Sequence, residues 1–530
     1  MRVVSNESSS EIFNTLNKSW KSTCKIVLGK EIGELKEYDG WLQDYHATLG
    51  QRKSTLSGKE VILSNDYYCN NSNFLSFGEK QPEPLDINEI KDIDSLAQAI
   101  SDKWSYSGNK VLGNSSDVQS SDSITSSQNL LNSANMQYSS YLYRCFIGRE
   151  MKYAFGCNYM GKSSFVIHSS FVFKASRIFE SHWAIESSDM YFSSNCTGCR
   201  DLLFCFNLKN AHNSIGNLQL PKDKYLSLKN KILAEATESL ESNKSVPTLM
   251  EMAEGKPIPQ KKNFSHLAAN EEGNIGIIQK GFSSTFSLLF RKEPGNLENY
   301  SDWLSKYAVS LREIKTKFGC RTFIPNGAGK IVCTLAPEER MVSEPEALEL
   351  GKESLDEEDV QSFDSLRENI HKIAFFISEF TSGERNNTQA CPIVYHGSNA
   401  YMTYDITEGQ HAAYSFLSLE SDYTYGCFRA LGCKFCINCY NSTSLARCFE
   451  VDFCTKCSDS YFCHNSEALA DCMFCCNVKG LRNAIGNSPL PPAKYKSIKD
   501  SLLGQLGDRI LQNNSLEANI YNIGCLGAKA

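Results

Sequence analysis

Cysteine is the residue type whose number and spacing in this sequence could do chemistry. There are 22, and eleven of them lie between Cys427 and Cys476. In that stretch Cys433-x2-Cys436-x2-Cys439, Cys454-x2-Cys457 and Cys472-x2-Cys475 carry the two-residue gaps of soft-metal ligands. A disulfide framework is a second use of so many thiols, but it belongs to short exported chains that cannot bury a core. With 530 residues and a polar start, MRVVSNESSSEIFN, that lacks an apolar export segment, the sequence does not fit that use. The third use is packing, because cysteine behaves as a small hydrophobe and is among the most often buried residues.

Other chemistry is sparse. GAGK at Gly327 to Lys330 lacks the leading Gly and the following Ser or Thr of a phosphate-binding loop. His168 and His182 lie in Ser-rich surroundings, where a surface or turn position is expected, and no nucleophile, base and orienter can be picked out by spacing. Asn213-x-Ile215-Gly216-Asn217 reads as a turn requiring positive φ.

With 54 Lys and Arg against 61 Asp and Glu, the net charge of −7 is not the footprint of a duplex nucleic-acid binder. It also disfavours binding of single strands through exposed aromatics. No run approaches the ~18 apolar residues of a membrane helix. A soluble, cytoplasmic chain is the expectation.

The sequence repeats itself. NLKNAHNSIGNLQLPKDKYLSLKN from Asn207 and NVKGLRNAIGNSPLPPAKYKSIKD from Asn477 share twelve of 24 positions at an offset of 270. Tyr191-Phe192, Phe204-Cys205 and Gly156-Cys157 meet Tyr461-Phe462, Phe474-Cys475 and Gly426-Cys427 at the same offset. At 262, Leu35, Tyr38, Trp41, Leu42, Tyr45 and Leu49 meet Leu297, Tyr300, Trp303, Leu304, Tyr307 and Leu311. The chain is a tandem duplication whose boundary is expected at the Pro-punctuated stretch Val246 to Gln260.

In each N-terminal module the three- and four-residue steps from Leu35 to Leu49, and from Leu297 to Leu311, predict an amphipathic helix. Lys25 to Leu28, Val61 to Leu63 and Phe286 to Phe290 are expected strands. Further helices are expected over Asp94 to Trp104 and Asp364 to Phe380, with Asp94 and Asp364 as N-caps. The acidic run Glu344 to Asp364 is expected to be a mobile loop, and Asn114 to Ser139 a linker or irregular entry. In the second modules aromatic or apolar pairs return about every twelve residues: Ile178-Phe179, Tyr191-Phe192, Leu203-Phe204, Ile215, and Cys448-Phe449, Tyr461-Phe462, Met473-Phe474, Ile485. Short strands with tight turns at that interval predict a β-solenoid with a narrow core of small side chains. Helices are expected over Leu226 to Leu240 and Lys496 to Leu506, covering the open ends.

The duplication also weighs metal against packing. Cys436, Cys448, Cys454, Cys472 and Cys476 meet Val166, Ile178, Ala184, Leu202 and Phe206, and Cys433, Cys439, Cys457 and Cys463 meet serines. A ligand exchanged for Val or Ile leaves no site, whereas a packing residue tolerates it. Packing is therefore the reading. A site acquired by the second half alone stays open, with Cys433, Cys436, Cys454 and Cys457 as zinc ligands.

DCMFCCNVKGLRNAIGNSPLPPAKY from Asp471 and LLFCFNLKNAHNSIGNLQLPKDKY from Leu202 resemble the end motif of Cys-rich β-solenoid proteins of uncultivated bacteria, archaea and phages. The similarity covers roughly 135–235 and 395–510, and CTLAPEERM at Cys333 resembles that family's Cys-Pro-Glu-Glu-Arg segment. The resemblance implies the fold and carries no activity. The expected fold is thus α+β with β-solenoids, each half a small α+β module followed by a Cys/Ser/aromatic-rich solenoid with a helical cap. The divisions are 1–110, 135–240, a linker 241–262, 263–385 and 395–515. A non-enzymatic scaffold for a protein partner is expected, with no duplex nucleic acid or membrane bound and no catalytic, cofactor or metal residues. The alternative is a zinc or other metal protein, or an enzyme, sited in the second solenoid.

Overall fold

In two long regions of the chain, every third residue turns a corner. Tyr141, Arg144, Ile147, Glu150, Tyr153, Gly156, Tyr159, Lys162 and Phe165 all have φ between 50° and 66°. The two residues between successive corners are extended, so four corners bring residue i+12 beside residue i. The computed structural model, which describes residues 6–79, 84, 92–101, 103–259, 262–267, 273–326 and 332–526, shows this as parallel pairing at an offset of twelve, with thirteen only where each ladder begins, at Val111 with Ile124 and Phe380 with Ile393. Ser140 pairs with Lys152, Ser164 with Ser176, Ser176 with Ser188 and Ser188 with Arg200. In the second half Lys434 pairs with Ala446, Ala446 with Ser458 and Ser458 with Ala470.

Left-handed backbone at a non-glycine residue costs about 1–3 kcal/mol. Hydrogen bonds between successive repeats offset it. The N–H of each corner donates to the carbonyl thirteen residues earlier, as in His168 to Phe155, Glu180 to Ile167 and Phe192 to Phe179, at 2.9, 3.1 and 3.0 Å. The molecule is α+β with long parallel sheets. The first ladder runs from Val111–Leu112 to His212–Ile215, and its long strands Ser140–Arg149 and Lys152–Gly161 belong to two series at once, so its pairings close on themselves. The second runs from Phe380–Gln389 to Arg482–Ile485 in an open sheet.

The end of each ladder is closed by an asparagine. The Asn217 amide accepts from the Phe206 N–H and donates to its carbonyl at 2.8 and 3.0 Å, and Asn487 does the same to Cys476 at 3.1 and 3.0 Å. One side chain thus supplies the pair of bonds that a further repeat would have made. Positive φ at Asn213, Gly216 and Asn217 allows the sharp turn this needs. The helices Lys222–Asn243 and Pro492–Asn513 follow, burying Tyr225, Ile232 and Leu240, and Tyr495, Leu506 and Ile510.

The N-terminal modules are divided between the ladders. Ile12 to Tyr45 pack on the first ladder, their own, whereas Val61 to Tyr106 pack on the second. In the other half Ile278 to Leu304 pack on the second ladder, and Val309 to Ile377 cross to the first. The crossing contacts are reciprocal: Asn207 Nδ2 donates to the Phe375 carbonyl at 3.3 Å, and Asn477 Nδ2 to the Ser105 carbonyl at 2.9 Å. Both partners in the second bond lie 270 residues from those in the first. Lys110 Nζ sits 4.0 Å from the Phe453 ring, and its counterpart Phe380 lies 6.3 Å from Trp183.

Several local expectations are corrected. Leu35 to Leu49 is not one helix but two 3-10 turns, Leu35–Tyr38 and Trp41–Gln43, because the steps of three suit that tighter winding and Asp39-Gly40 interrupts it. The second copy, without that glycine, has Leu297–Tyr300 as 3-10 and Ser301–Ser305 as α-helix. Lys25 to Leu28 and Phe286 to Phe290 are not strands but the last turns of the helices Asn6–Leu28 and Ile275–Phe290, whose apolar faces begin well upstream, at Ile12 and Ile278. Val61 to Leu63 is a strand. The acidic run opens with a helix, Glu344–Leu350, started by the Ser343–Glu346 capping box with Pro345 in its first turn. The helix expected over Asp364 to Phe380 ends at Asn369, and its N-cap is Ser362, not Asp364. Its earlier counterpart is Ile93–Ser101; the Asp94 side chain and GAGK lie outside the described residues. Asn114 to Ser139 already belongs to the first ladder. Of the connecting stretch, Val246, Leu249, Met250, Met252 and Ala253 are buried.

Reciprocal exchange makes the halves mutually dependent. Co-expressed fragments 1–259 and 260–530, with a tag on one only, are expected to copurify as a one-to-one pair under reducing conditions. Elution as two separately folded monomers would contradict the exchange.

Candidate functional site

The residue after each corner points into the ladder. In the first ladder these are Leu142, Cys145, Met151, Ala154, Cys157, Met160, Val166 and so on; in the second, Cys427, Ala430, Cys433, Cys436, Cys439, Leu445 and Cys448. Inward positions recur every three residues, so two adjacent inward cysteines are necessarily spaced Cys-x2-Cys. The spacing that suggests zinc ligands is the spacing of neighbouring inward positions.

These side chains answer to the backbone. Ser193 donates to the Tyr191 carbonyl at 2.9 Å and accepts the Cys205 N–H at 3.0 Å. Ser181 does the same with Phe179 and Ser193. A thiol does the same: Cys454 reaches the carbonyls of Asp452 and Cys463, both at 3.5 Å, Cys448 those of Ala446 and Cys457 at 3.5 and 3.6 Å, and Cys199 accepts the Ala211 N–H at 3.3 Å. Serine and cysteine therefore interchange here because each can donate to a carbonyl while filling little space.

The four cysteines considered as alternative ligands occupy two pairs of adjacent inward positions, Cys433 with Cys436 and Cys454 with Cys457. Their thiols reach carbonyls: Cys436 donates to Lys434 at 3.5 Å and Cys457 to Thr455 at 3.4 Å. Burial pushes Cys436 and Cys454 well above the ordinary thiol range, while the hydrogen bond from Cys454 lowers Cys457. Among the described residues no three His, Cys, Asp or Glu are grouped so as to hold a metal ion.

His168 and His182 are not at the surface. Both are fully buried around Glu180, because the front segment of the module lies over this part of the ladder. His168 Nδ1 bonds Glu180 and its Nε2 reaches the Trp41 carbonyl at 2.9 Å, while Tyr45 donates to Glu180 at 2.8 Å. Burial alone would lower His168, but the Glu180 and Asp44 carboxylates outweigh it and raise its pKa to about 9. Burial would raise Glu180, but the charge of His168 and its hydrogen bond hold it at about 2. The corresponding pair in the second half is Asn438 and Glu450, joined at 3.0 Å. With Asn438 in place of the imidazolium, Glu450 is pushed by burial to about 8.

One outward column is the same in both halves. Arg177 grips Asp189 through two nitrogens, each at 2.6 Å, and Arg447 grips Asp459 at 2.8 and 2.6 Å. Twelve residues on, Asp201 meets Lys229 of the cap helix at 3.4 Å, and Asp471 meets Lys499 at 2.8 Å. Lys229 lies 4.9 Å from the Tyr191 ring and Lys499 5.3 Å from Tyr461. Arg177 and Arg447 are 40% and 41% exposed, so the cluster is both an anchor for the cap and a solvent-facing surface. Behind it Tyr153 stacks on Phe165 at 5.1 Å and Tyr423 on Phe435 at 4.7 Å. The sequence contains the signal for this column, identity at an offset of 270 combined with recurrence at twelve, but the thiols draw attention away from it.

Comparison with protein families, with curated proteins and with solved structures gives no match.

Two outcomes test this chemistry. Ser193→Ala strips the Cys205 N–H of its acceptor and is expected to cost about 1–3 kcal/mol in chemical denaturation. Ser193→Cys, which copies Cys463 at the equivalent position, is expected to recover most of that. The second test concerns pH. With its pKa raised, His168 stabilises the fold fully below its ordinary 6.5 and ceases to as pH rises through about 9. Glu450 likewise favours folding below its ordinary 4.5 and loses that contribution by about 8. His168→Asn copies the second site, so melting temperature against pH is expected to show the first site's loss moved down to the window of Glu450. An unchanged profile would contradict the assignment.

Proposed function

We propose that the chain is a non-enzymatic scaffold in which each ladder is a β-solenoid, one turn per twelve residues, and the two offer equivalent faces to a protein partner. The recurring pairing offset of twelve and the three-residue corners support the solenoid reading, as does the resemblance of the end motif. The observation that carries the scaffold reading is the twin column. Arg177, Asp189, Asp201 and Lys229 recur as Arg447, Asp459, Asp471 and Lys499 with matching geometry, while the interior beneath has changed from Val166 and Ile178 to Cys436 and Cys448. An outer face kept over a drifting core is what contact with a partner requires, and two such faces suit a two-fold partner or two copies of one partner. No described helix is long and apolar enough to cross a membrane. Twenty unpaired buried thiols fit a reducing, cytoplasmic setting.

A second reading is a zinc or other metal protein sited in the second ladder, and it rests on the thiol pairs Cys433 with Cys436 and Cys454 with Cys457 at adjacent inward positions. Holding a soft ion such as zinc would require those two pairs to converge from positions where they are not grouped.

A partner captured by the purified chain is expected to bind Arg177→Glu and Arg447→Glu each more weakly, by about tenfold, and the double variant not measurably, with melting temperatures close to wild type. Unaltered binding by the double variant would overturn the scaffold reading. An ion copurifying at about one per chain and lost in Cys436→Val would favour the second.

A further inference from the structure

Twenty of the 22 cysteines are buried and unpaired. The two that are only half-buried, Cys69 and Cys525, are joined to each other across 456 residues of sequence. That contrast singles out this pair, because exchange with an external thiol or disulfide requires access to sulfur.

Cys525 ends a segment seated on the second ladder. The Ile520 N–H donates to Glu450 at 2.8 Å, Tyr106 donates to the Ile520 carbonyl at 2.9 Å, and the Cys69 N–H donates to the Tyr521 carbonyl at 2.9 Å. Tyr521 packs 5.1 Å from the Tyr440 ring and 5.3 Å from Tyr68. The first ladder has an equivalent seat, where the Leu249 N–H donates to Glu180 at 3.2 Å. There the segment is locked by Arg340, whose buried guanidinium donates to the carbonyls of Ala253, Lys256 and Pro257 at 2.8, 2.9 and 3.2 Å and to those of His371 and Ala374. Each lock is supplied by the other half's module. One uses hydrogen bonds that no oxidant or reductant alters; the other uses a bond that thiol chemistry opens.

We propose that Cys69–Cys525 is a redox-addressed clasp that sets how firmly residues 516–526 are seated on the second ladder, leaving the first seat unaffected. In the opening step a small dithiol reductant attacks one sulfur as its thiolate. The Cys–Cys bond breaks, the other cysteine leaves as thiolate and takes a proton, and the reductant's second thiol resolves the mixed disulfide. Two electrons and two protons pass to the protein and the reductant becomes a cyclic disulfide. A small disulfide such as oxidised glutathione reverses the exchange. With the clasp open, Leu516, Ile520, Tyr521 and Ile523 still hold the segment by apolar contact, so it stays seated but opens more often, uncovering Tyr106, Tyr440 and the Glu450 carboxyl.

The test is hydrogen exchange on the full chain, equilibrated first with oxidised glutathione and then with dithiothreitol. Protection over 516–526 is expected to fall by about tenfold or more on reduction, while that over 246–257 stays unchanged. Cys69→Ser and, independently, Cys525→Ser are expected to show the reduced pattern with no response to dithiothreitol. Cysteine alkylation in the native state is expected to label these two residues only after reduction. Equal protection of 516–526 in the two states, parallel loss at 246–257, or free thiols at both positions after glutathione equilibration would each overturn the proposal.

Discussion

The structure depends on a backbone that turns left-handed every third residue and is compensated only when another repeat lies twelve residues away. A single repeat has four costly corners and no partner for them, so the fold exists only as a stack. The stack leaves an interior with room for one side chain per side of each repeat. It also leaves carbonyls pointing inward, and every inward residue is judged by whether it fills that space and satisfies them. Serine, cysteine, alanine, valine, leucine, isoleucine and methionine pass; the buried carboxylates Glu180 and Glu450 lie instead at corners, outside the ladder and under a covering module.

What could be read from the sequence follows from this. The duplication and the twelve-residue return were legible, since large apolar residues such as Phe179, Tyr191 and Leu203 mark them and lie in register. The underlying step of three was not, because serine, cysteine and valine share the inward positions and hide the period from any one residue type. The same step makes Cys433 and Cys436 look like ligands. His168 could not be read as buried, since what buries it, Trp41 and Tyr45, comes from more than a hundred residues away. The exchange of rear segments was equally invisible. Leu35 to Tyr45 and Val61 to Tyr106 are adjacent in sequence, and only their packing shows that they serve different ladders.

A ladder has two ends and a flank, and the duplication supplies covers for them. Asn217 and Asn487 close the final repeats, the cap helices lie over them, and the crossing segments bind the flanks through Asn207 and Asn477. Neither half can cover its own flank completely, because the segment after its front helix and 3-10 turns is committed to its sibling. The result is an assembly with the reciprocity of a two-fold dimer inside one chain. The chain connection removes the concentration dependence such a dimer would have.

The contrast between interior and exterior is the most informative property of the pair. Inward, the halves differ at most positions, and the second has replaced serines, Val166 and Ile178 with thiols without altering the ladder. Outward, Arg177 and Asp189 have been kept to the same bidentate geometry as Arg447 and Asp459. Exposed ion pairs are worth little to stability, about 0–1 kcal/mol, so stability alone is a weak reason to keep one when residues worth more have drifted. Lys229 and Lys499, each partly shielded against an aromatic ring, give the cap some claim on Asp201 and Asp471. The guanidinium edges of Arg177 and Arg447 have no such claim on them. Their retention is what the proposed contact with a partner would explain.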